Sequence, residues 1–463
     1  MISRLGALLV TAALGACVPS RATTFGPVQR EIDERIGVRA SWSGTADARV
    51  SAAVRDLLGK PLSRDAAVRI AIANSAQLQA RFDQLGIAAS AIAGATVLAP
   101  TEIDLELKGM FGGETETEIS AVQDILDLLQ LGQRRGIANA DIRAARSRAV
   151  AATVDLVADV EVAFNDAVAA QQHLELRQTS FEAASASAEI TERMYAAGNT
   201  TALDLARQRD QREQARVELG RAQVEVEVAR EAVNELLGLT GDATKWTAAG
   251  RLDDVPAAAP ALDSLERDAV AASLELEALG AESHAAAGRV GLARLRSWLP
   301  ELGVGVAGSR AEDGEWSVGP AIQIGLPLFN QQQGARARAN AELRRAGNVS
   351  TATAITLRAR ARAARQRVLE GYAEARHFRD VILPLRQEVL DETLKQYNAM
   401  NATTFELLIA RRDLVEAGRQ YIDALRRYHN ADASARALRR GGMPTMMNDE
   451  PTVTAESGGA AEH

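Results

Sequence analysis

Few residues in this chain are grouped in a way that could support catalysis. Gly303-Val-Gly305-Val-Ala-Gly308 has the spacing of a dinucleotide-binding loop. That chemistry needs the third glycine to open a helix whose N-terminus meets a pyrophosphate. The next residues are Ser309-Arg-Ala-Glu-Asp-Gly-Glu315, a polar turn, so glycines that keep one strand face small explain the pattern better. His173, His284, His377, His429 and His463 are scattered without metal-ligand spacing, and no serine stands in a nucleophile-elbow context. Met443, Met446, Met447 and His463 lie in a Gly-, Pro-, Thr- and Glu-rich tail. Thioethers there could bind Cu(I), but incidental methionines in a disordered tail are the simpler reading. No catalytic, cofactor or metal site can be assembled, and neither an enzyme nor a resident cofactor is expected.

The one residue with a definite chemical prospect is Cys17, the only cysteine. Arg4 precedes an apolar run from Leu5 to Leu14, too short to span a bilayer, and Leu14-Gly15-Ala16-Cys17 ends it. This resembles the lipobox of bacterial lipoproteins, which implies cleavage after residue 16 and lipidation of the Cys17 thiol. An ordinary signal peptide with an incidental cysteine is the alternative. Val18 stands directly after the cysteine where, by the same resemblance, an aspartate would favour inner-membrane retention, so outer-membrane sorting is expected.

The composition predicts the elements around these residues. Alanine and arginine abound and aromatics make up only 4% of 463 residues, which favours helix. The charge of −8 comes from 61 acidic and 53 basic residues mixed along the chain, which leaves no basic patch for nucleic acid. A repeat with an offset near 200 residues organises the rest. Tyr195-Ala-Ala-Gly-Asn-Thr-Thr-Ala-Leu-Asp-Leu205 matches Tyr397-Asn-Ala-Met-Asn-Ala-Thr-Thr-Phe-Glu-Leu407. Leu98-Ala99-Pro100 matches Trp298-Leu299-Pro300, and Leu78-Gln-Ala80 echoes Leu276-Glu-Ala278.

Each half therefore reads helix, strand, strand, long helix, turn, helix. Gln133 to Ala197 lacks a strong breaker beyond Gly136 and would span about 97 Å as one helix. Val150, Val154, Val157, Phe164 and Val168 recur near a 3.5-residue period broken by Glu161, which points to coiled-coil packing. Gln331 to Ala399 is its counterpart, with Pro384 expected to kink or end it. The return helices, 201–237 and 403–438, finish at Gly238 and Gly441.

The strands carry the membrane argument. Ile103, Leu105 and Leu107 alternate with Glu102, Asp104, Glu106 and Lys108. Leu302, Val304 and Val306 alternate with Gly303, Gly305 and Ala307, and 316–328 continues in the same manner. Thr117–Leu129 alternates poorly, since Asp124-Ile-Leu-Asp127 fits a helix about as well. Apolar-out, polar-in strands suit a closed barrel, and four strands close only if several copies join. A soluble sheet capping a helical bundle is the alternative.

From about Pro61 to Leu438 the chain resembles the TolC family of outer-membrane efflux proteins. The likeness rests on the two proline-marked strand openings, Gly319-Pro-Ala-Ile-Gln-Ile-Gly-Leu-Pro-Leu-Phe-Asn330, Val381-Ile-Leu-Pro384 and the paired Tyr-containing turns. It implies a mainly α fold with a small β part, in which a homotrimer gives four strands per protomer to one twelve-stranded barrel continued by a helical tunnel. The function implied is a passive channel of a tripartite efflux or type I secretion system, opened by a periplasmic membrane-fusion adaptor and an inner-membrane pump. It would sit in the outer membrane of a Gram-negative bacterium, in contact with its lipid. By the same resemblance Gly198, Leu203, Asp204, Phe405 and Glu406 are the docking or gating residues, and Met400 stands where a glycine is expected. Were Ile103, Leu105 and Leu107 to face lipid, Glu102, Asp104 and Glu106 would line the lumen and favour cations. The expected organisation is a signal at 1–16, a lipidated segment at 17–60, repeats at 61–240 and 261–440 joined by a linker at 241–260, and a tail at 441–463. A periplasmic coiled-coil lipoprotein acting as spacer or adaptor, without a pore, is the rival reading.

Overall fold

Long alanine-rich stretches without proline become long helices here, and Pro100, Pro300 and Pro384 fall where helices give way. The computed structural model describes residues 20–42, 48–97, 100–108, 116–310, 315–329 and 331–444. The export signal, Cys17, Leu98-Ala99, Asn330 and the Met446, Met447 and His463 tail therefore lie outside the described residues. Among those described, the helices are α1 (Arg21–Ile36), α2 (Ala48–Leu58), α3 (Arg64–Asn74), α4 (Ala76–Thr96), α5 (Leu126–Ala196), α6 (Ala202–Leu237), α7 (Leu265–Ala272), α8 (Leu274–Trp298), α9 (Gln333–His377), α10 (Leu383–Asn398) and α11 (Thr404–Arg439). The strands are β1 (Glu102–Lys108), β2 (Glu116–Asp124), β3 (Leu302–Arg310) and β4 (Trp316–Ile324).

The expected order of elements is present in both halves, with two refinements. The ambiguous stretch after Thr117 divides: β2 ends at Asp124, whose carboxylate accepts the Leu126 N–H at 2.7 Å and so starts α5. The strand expected over 316–328 stops at Ile324, ahead of Gly325 and Pro327. Pro384 acts as expected. A π-turn at Phe378–Ile382 precedes it and α10 begins with the proline in its first turn, where the missing N–H costs no helical bond.

The chain forms two compact units, each drawing on both halves of the repeat. The first comprises the described parts of 1–34, 80–150 and 274–356, and so holds the sheet. In it the Phe25 ring packs edge-on against Phe82 at 4.9 Å between centroids. Ala144, Ala278 and Ala281 form a small-residue core that lets α5 and α8 approach closely. Flanking charges bind the same seam: Arg148 pairs with Glu282 at 2.5 Å and Glu275 at 3.4 Å, and Arg289 pairs with Asp141 at 2.7 Å. Both Arg148 acceptors raise its already high pKa further.

The second unit comprises the described parts of 35–79, 151–273 and 357–463. There Val154, Val157, Phe164 and Val168 are buried on α5 as their spacing predicts. Glu161 interrupts the stripe yet is buried too, because Arg436 on α11 reaches it at 2.9 Å. Burial nonetheless holds the Glu161 carboxyl above its ordinary range. Asn430 donates to Asp166 at 2.8 Å and is itself bonded to Asn165 at 3.0 Å, so α5 and α11 are tied by a polar ladder inside an alanine-lined contact.

The repeat is also realised at a place its residues do not advertise. Ser75 breaks the chain between α3 and α4 with φ −65° and ψ 113°, and Ser273 breaks it between α7 and α8 with φ −62° and ψ 112°. The glycine ending each return helix packs against the break, Gly238 on the Asn74 carbonyl and Gly441 on that of Ala272. Both glycines have positive φ, 65° and 92°, which a side chain would strain. In the first half Asn74 Nδ2 donates to the carbonyls of Leu237 and Gly238 at 2.8 and 2.9 Å, serving groups that a helix end leaves unpaired. Ala272 has no such donor, and Arg35 takes the role, donating to the Ala272 and Arg440 carbonyls at 3.1 and 2.8 Å.

Arg35→Ala is therefore expected to cost about 1–3 kcal/mol by stranding these carbonyls, read as a fall in thermal midpoint. Adding Ala272→Asn, which copies Asn74, should recover part of that loss; no recovery would mean that Arg35 acts through other contacts.

Candidate channel wall and helix turns

The strands pair antiparallel in the order β1-β2-β3-β4. Residues directly opposite one another share a face, so the register sorts the side chains. Ile103 opposes Ala121, Leu105 opposes Ile119, Ala121 opposes Val306, Val304 opposes Ile322 and Gly308 opposes Val318. One face is thus apolar across all four strands apart from Gln123 and, at the far end, Thr117 and Arg310. It is also bare: Ile103 is 73% and Ile322 70% exposed. Burying such a face contributes about 25 cal/mol for each Å² removed from water, so leaving it in water is costly.

The other face is acidic and small. Glu102 opposes Val122, Asp104 opposes Ser120 and Glu106 opposes Glu118, and Gly305, Ala307 and Ser309 extend it on β3. The three carboxylates expected to share a face do share it, opposite Ile103, Leu105 and Leu107. The register adds Glu118, and Asp124 at the helix-side end opposite Gly303. Neither was selected from sequence, because the weak alternation of 117–129 hid which residues of β2 belong together.

The glycines of β3 have a packing reason. A Cβ at Gly303 would overlap the Val122 side chain, and one at Gly305 would overlap the β2 backbone at Ala121 and Val122. Gly308 lies within β3, not at a helix start, so the dinucleotide geometry is not formed.

The two turns repeat bond for bond. After α5, Gly198 N donates to Tyr195 O at 3.0 Å and Asn199 N to Met194 O at 2.8 Å. After α10, Met400 N donates to Tyr397 O at 2.9 Å and Asn401 N to Gln396 O at 2.8 Å. Gly198 has φ 76° and Met400 φ 62°, so the methionine adopts the left-handed conformation that glycine takes without strain. Its side chain stands 94% exposed.

Of the turn residues selected from sequence, the acidic pair has structural work to do. Thr201 caps α6: its hydroxyl accepts the Asp204 N–H at 3.1 Å and lies 2.6 Å from the Asp204 carboxylate. Thr403 and Glu406 form a reciprocal capping box at the start of α11, with the Thr403 N–H donating to Glu406 at 2.7 Å. That N–H and the Thr403 hydroxyl hold the Glu406 carboxyl below the usual range. Leu203 and Phe405, by contrast, are 58% and 63% exposed at matching positions of the two helices.

Among the described residues no helix is long and apolar enough to cross a membrane.

Several known proteins are similar to this chain. Residues 64–239 match the model of the outer membrane efflux protein family. The cobalt-zinc-cadmium resistance protein CzcC of Cupriavidus metallidurans is 26% identical over 401 residues, covering 84% of this chain and 92% of the relative. A solved membrane protein from Pseudomonas aeruginosa superposes with a TM-score of 0.64 at 19% identity, over 86% of this chain and 95% of the other. The outer membrane protein VceC of Vibrio cholerae superposes with a TM-score of 0.66 at 15% identity, over 82% of this chain and 96% of the other. These structures share the mainly helical fold with its small sheet.

Met400→Gly should stabilise the second turn by about 1 kcal/mol, since it relieves a left-handed side-chain clash at some cost in chain entropy. Gly198→Met should cost about 1–2 kcal/mol at the first turn. A denaturant midpoint unmoved by both variants would contradict this account of the turns.

Proposed function

We propose that this chain, which belongs to the TolC-like outer-membrane efflux proteins, is the channel component of a tripartite efflux system and conducts divalent metal cations. The single observation that carries the reading is the two-faced sheet, with an exposed apolar surface on one side and carboxylates among small residues on the other. An open sheet of this kind has unpaired edges at β1 and β4, and copies closing into a barrel would pair both. Three protomers would supply twelve strands. The apolar face would then meet lipid, and Glu102, Asp104, Glu106 and Glu118 would face water in the lumen. The spacer reading leaves the exposed apolar face without an occupant.

Cations as cargo are supported by that carboxylate face and by the name of the metal-resistance relative. Conduction needs weak, repeated attraction, not a tight site. The family is one of channel proteins, and energy would come from an inner-membrane pump joined through a periplasmic adaptor. Leu203 and Phe405, with Gly198 shaping the first turn, are the residues offered to that adaptor. Asp204 and Glu406 would act by holding the helix starts that present them. Lipid on Cys17 would add an anchor to the barrel.

Native mass spectrometry in mild detergent with single-channel recording tests the assembly. A conducting trimer is expected, and a monomer without conductance would withdraw the barrel. Replacing Glu102, Asp104 and Glu106 together by Ser should move the reversal potential in a salt gradient towards that of an unselective pore. An unchanged cation preference would remove these carboxylates from the lumen. Cys17→Ser should abolish incorporation of labelled palmitate, and continued labelling would place the lipid elsewhere or nowhere on this chain.

A further inference from the structure

The helix-side end of the sheet carries a second pattern that a channel alone does not require. The structure assigns a ring of lipid-headgroup sites to this end: we infer that Arg294 and Arg336, framed by Trp298 and Phe329, bind the phosphates of anionic phospholipids in the periplasmic leaflet. The inference rests on the proposed barrel.

Three of the four segments that join helices to strands show the same order of residues. Leu128 and Leu129 lie exposed in the first turn of α5, and Arg134 and Arg135 come next. Trp298, 82% exposed, ends α8, and Arg294 and Arg296 precede it. Leu326, Leu328 and Phe329 are exposed after β4, Phe329 to 96%, and Arg336 and Arg338 come after them in α9. Moving away from the strands, each path runs from bare apolar side chains to arginine.

At this end of the bare face Leu302 opposes Ile324, and the Gly325 N–H donates to Glu301 O at 3.0 Å, holding the segment that leads to Leu326. Large amphipathic and aromatic side chains at the edge of an apolar band are the mark of a membrane–water interface. The arginines fall where phosphates would be. At 1.5 Å per residue Arg294 stands about 6 Å from Trp298 and Arg336 about 5 Å into α9. The headgroup layer is about 5–7 Å thick on each side of the hydrocarbon.

The pairing of these arginines separates two groups. Arg134 and Arg296 converge on Asp127 at 2.7 and 3.6 Å, and Arg338 pairs with Glu342 at 2.8 Å. Among the described residues Arg135, Arg294 and Arg336 hold no ion pair, and all three are exposed. Of the acidic groups at this end, Asp124 accepts the Leu126 N–H and Glu301 accepts from Gln323, while Glu102 lies with the carboxylates of the other face of the sheet. An excess of free guanidinium groups beside an apolar band matches a phosphate-bearing lipid in charge and geometry, since guanidinium meets phosphate through two parallel N–H donors. A zwitterionic surface would offer no net charge to compensate them.

The full chain, reconstituted in nanodiscs holding equal amounts of phosphatidylglycerol and phosphatidylcholine, is released into native mass spectrometry, and single-channel conductance is recorded on the same preparation. Wild type should retain phosphatidylglycerol in preference to phosphatidylcholine. The Arg294→Gln, Arg336→Gln double variant should retain it about fivefold less for each arginine removed, with conductance unchanged. The Arg294→Lys, Arg336→Lys variant keeps the charge but loses the two-donor fork, and should recover only part of the retention. Equal retention of both lipids by a conducting wild type, or undiminished phosphatidylglycerol on the glutamine variant, would overturn the headgroup sites alone. A wild type that does not conduct would overturn the barrel reading on which they rest.

Discussion

A β-strand at the edge of a sheet has a row of backbone N–H and C=O groups without partners, and hydrocarbon offers them none. This constraint governs the molecule. β1 and β4 are edges, and the face between them is apolar and bare. A sheet that is apolar on one side and unpaired at both ends is unsuited to water alone and unsuited to lipid alone. Closure among copies, as proposed, would satisfy both demands, and the small residues of β3 make the tight strand packing possible, because Gly303 and Gly305 leave room for Val122 and for the β2 backbone.

The two halves of the chain preserve physical tasks more faithfully than residues. Ser75 and Ser273 break their helices with nearly the same dihedral angles. The return helices then end on those breaks, with carbonyls served by Asn74 in one half and by Arg35, far away in sequence, in the other. The turns keep their hydrogen bonds while glycine becomes methionine at the left-handed position. They also keep an acid at the helix start, Asp204 in one and Glu406 in the other. The need to satisfy a helix terminus is the thing that repeats.

Charge is distributed by the same logic. Carboxylates gather on the face of the sheet away from the apolar side chains, while unpaired arginines stand beyond the strand ends. Inside the second unit the charges are buried and paired across α5 and α11, where burial raises the carboxyls of Glu161 and Asp166 and side-chain partners offset part of the cost.

Local features of the sequence were enough for the element order, the two-fold repeat, the helix ends at Gly238 and Gly441, the break before Pro384 and the sharing of one face by Glu102, Asp104 and Glu106. Each depends on residues within a turn or a strand of one another, where periodicity, proline and glycine act directly. The limits of β2 were not legible, because Asp124-Ile-Leu-Asp127 suits a strand or a helix until Asp124 is seen capping α5. Nor could spacing tell that Glu118 faces Glu106, that Glu161 is tolerated in a buried stripe through Arg436, or that Arg35 completes the second repeat. These are matters of strand register and of partners hundreds of residues apart. Only the tertiary structure decides them, since many pairings fit the same pattern of side chains and the register and packing of the folded chain select one.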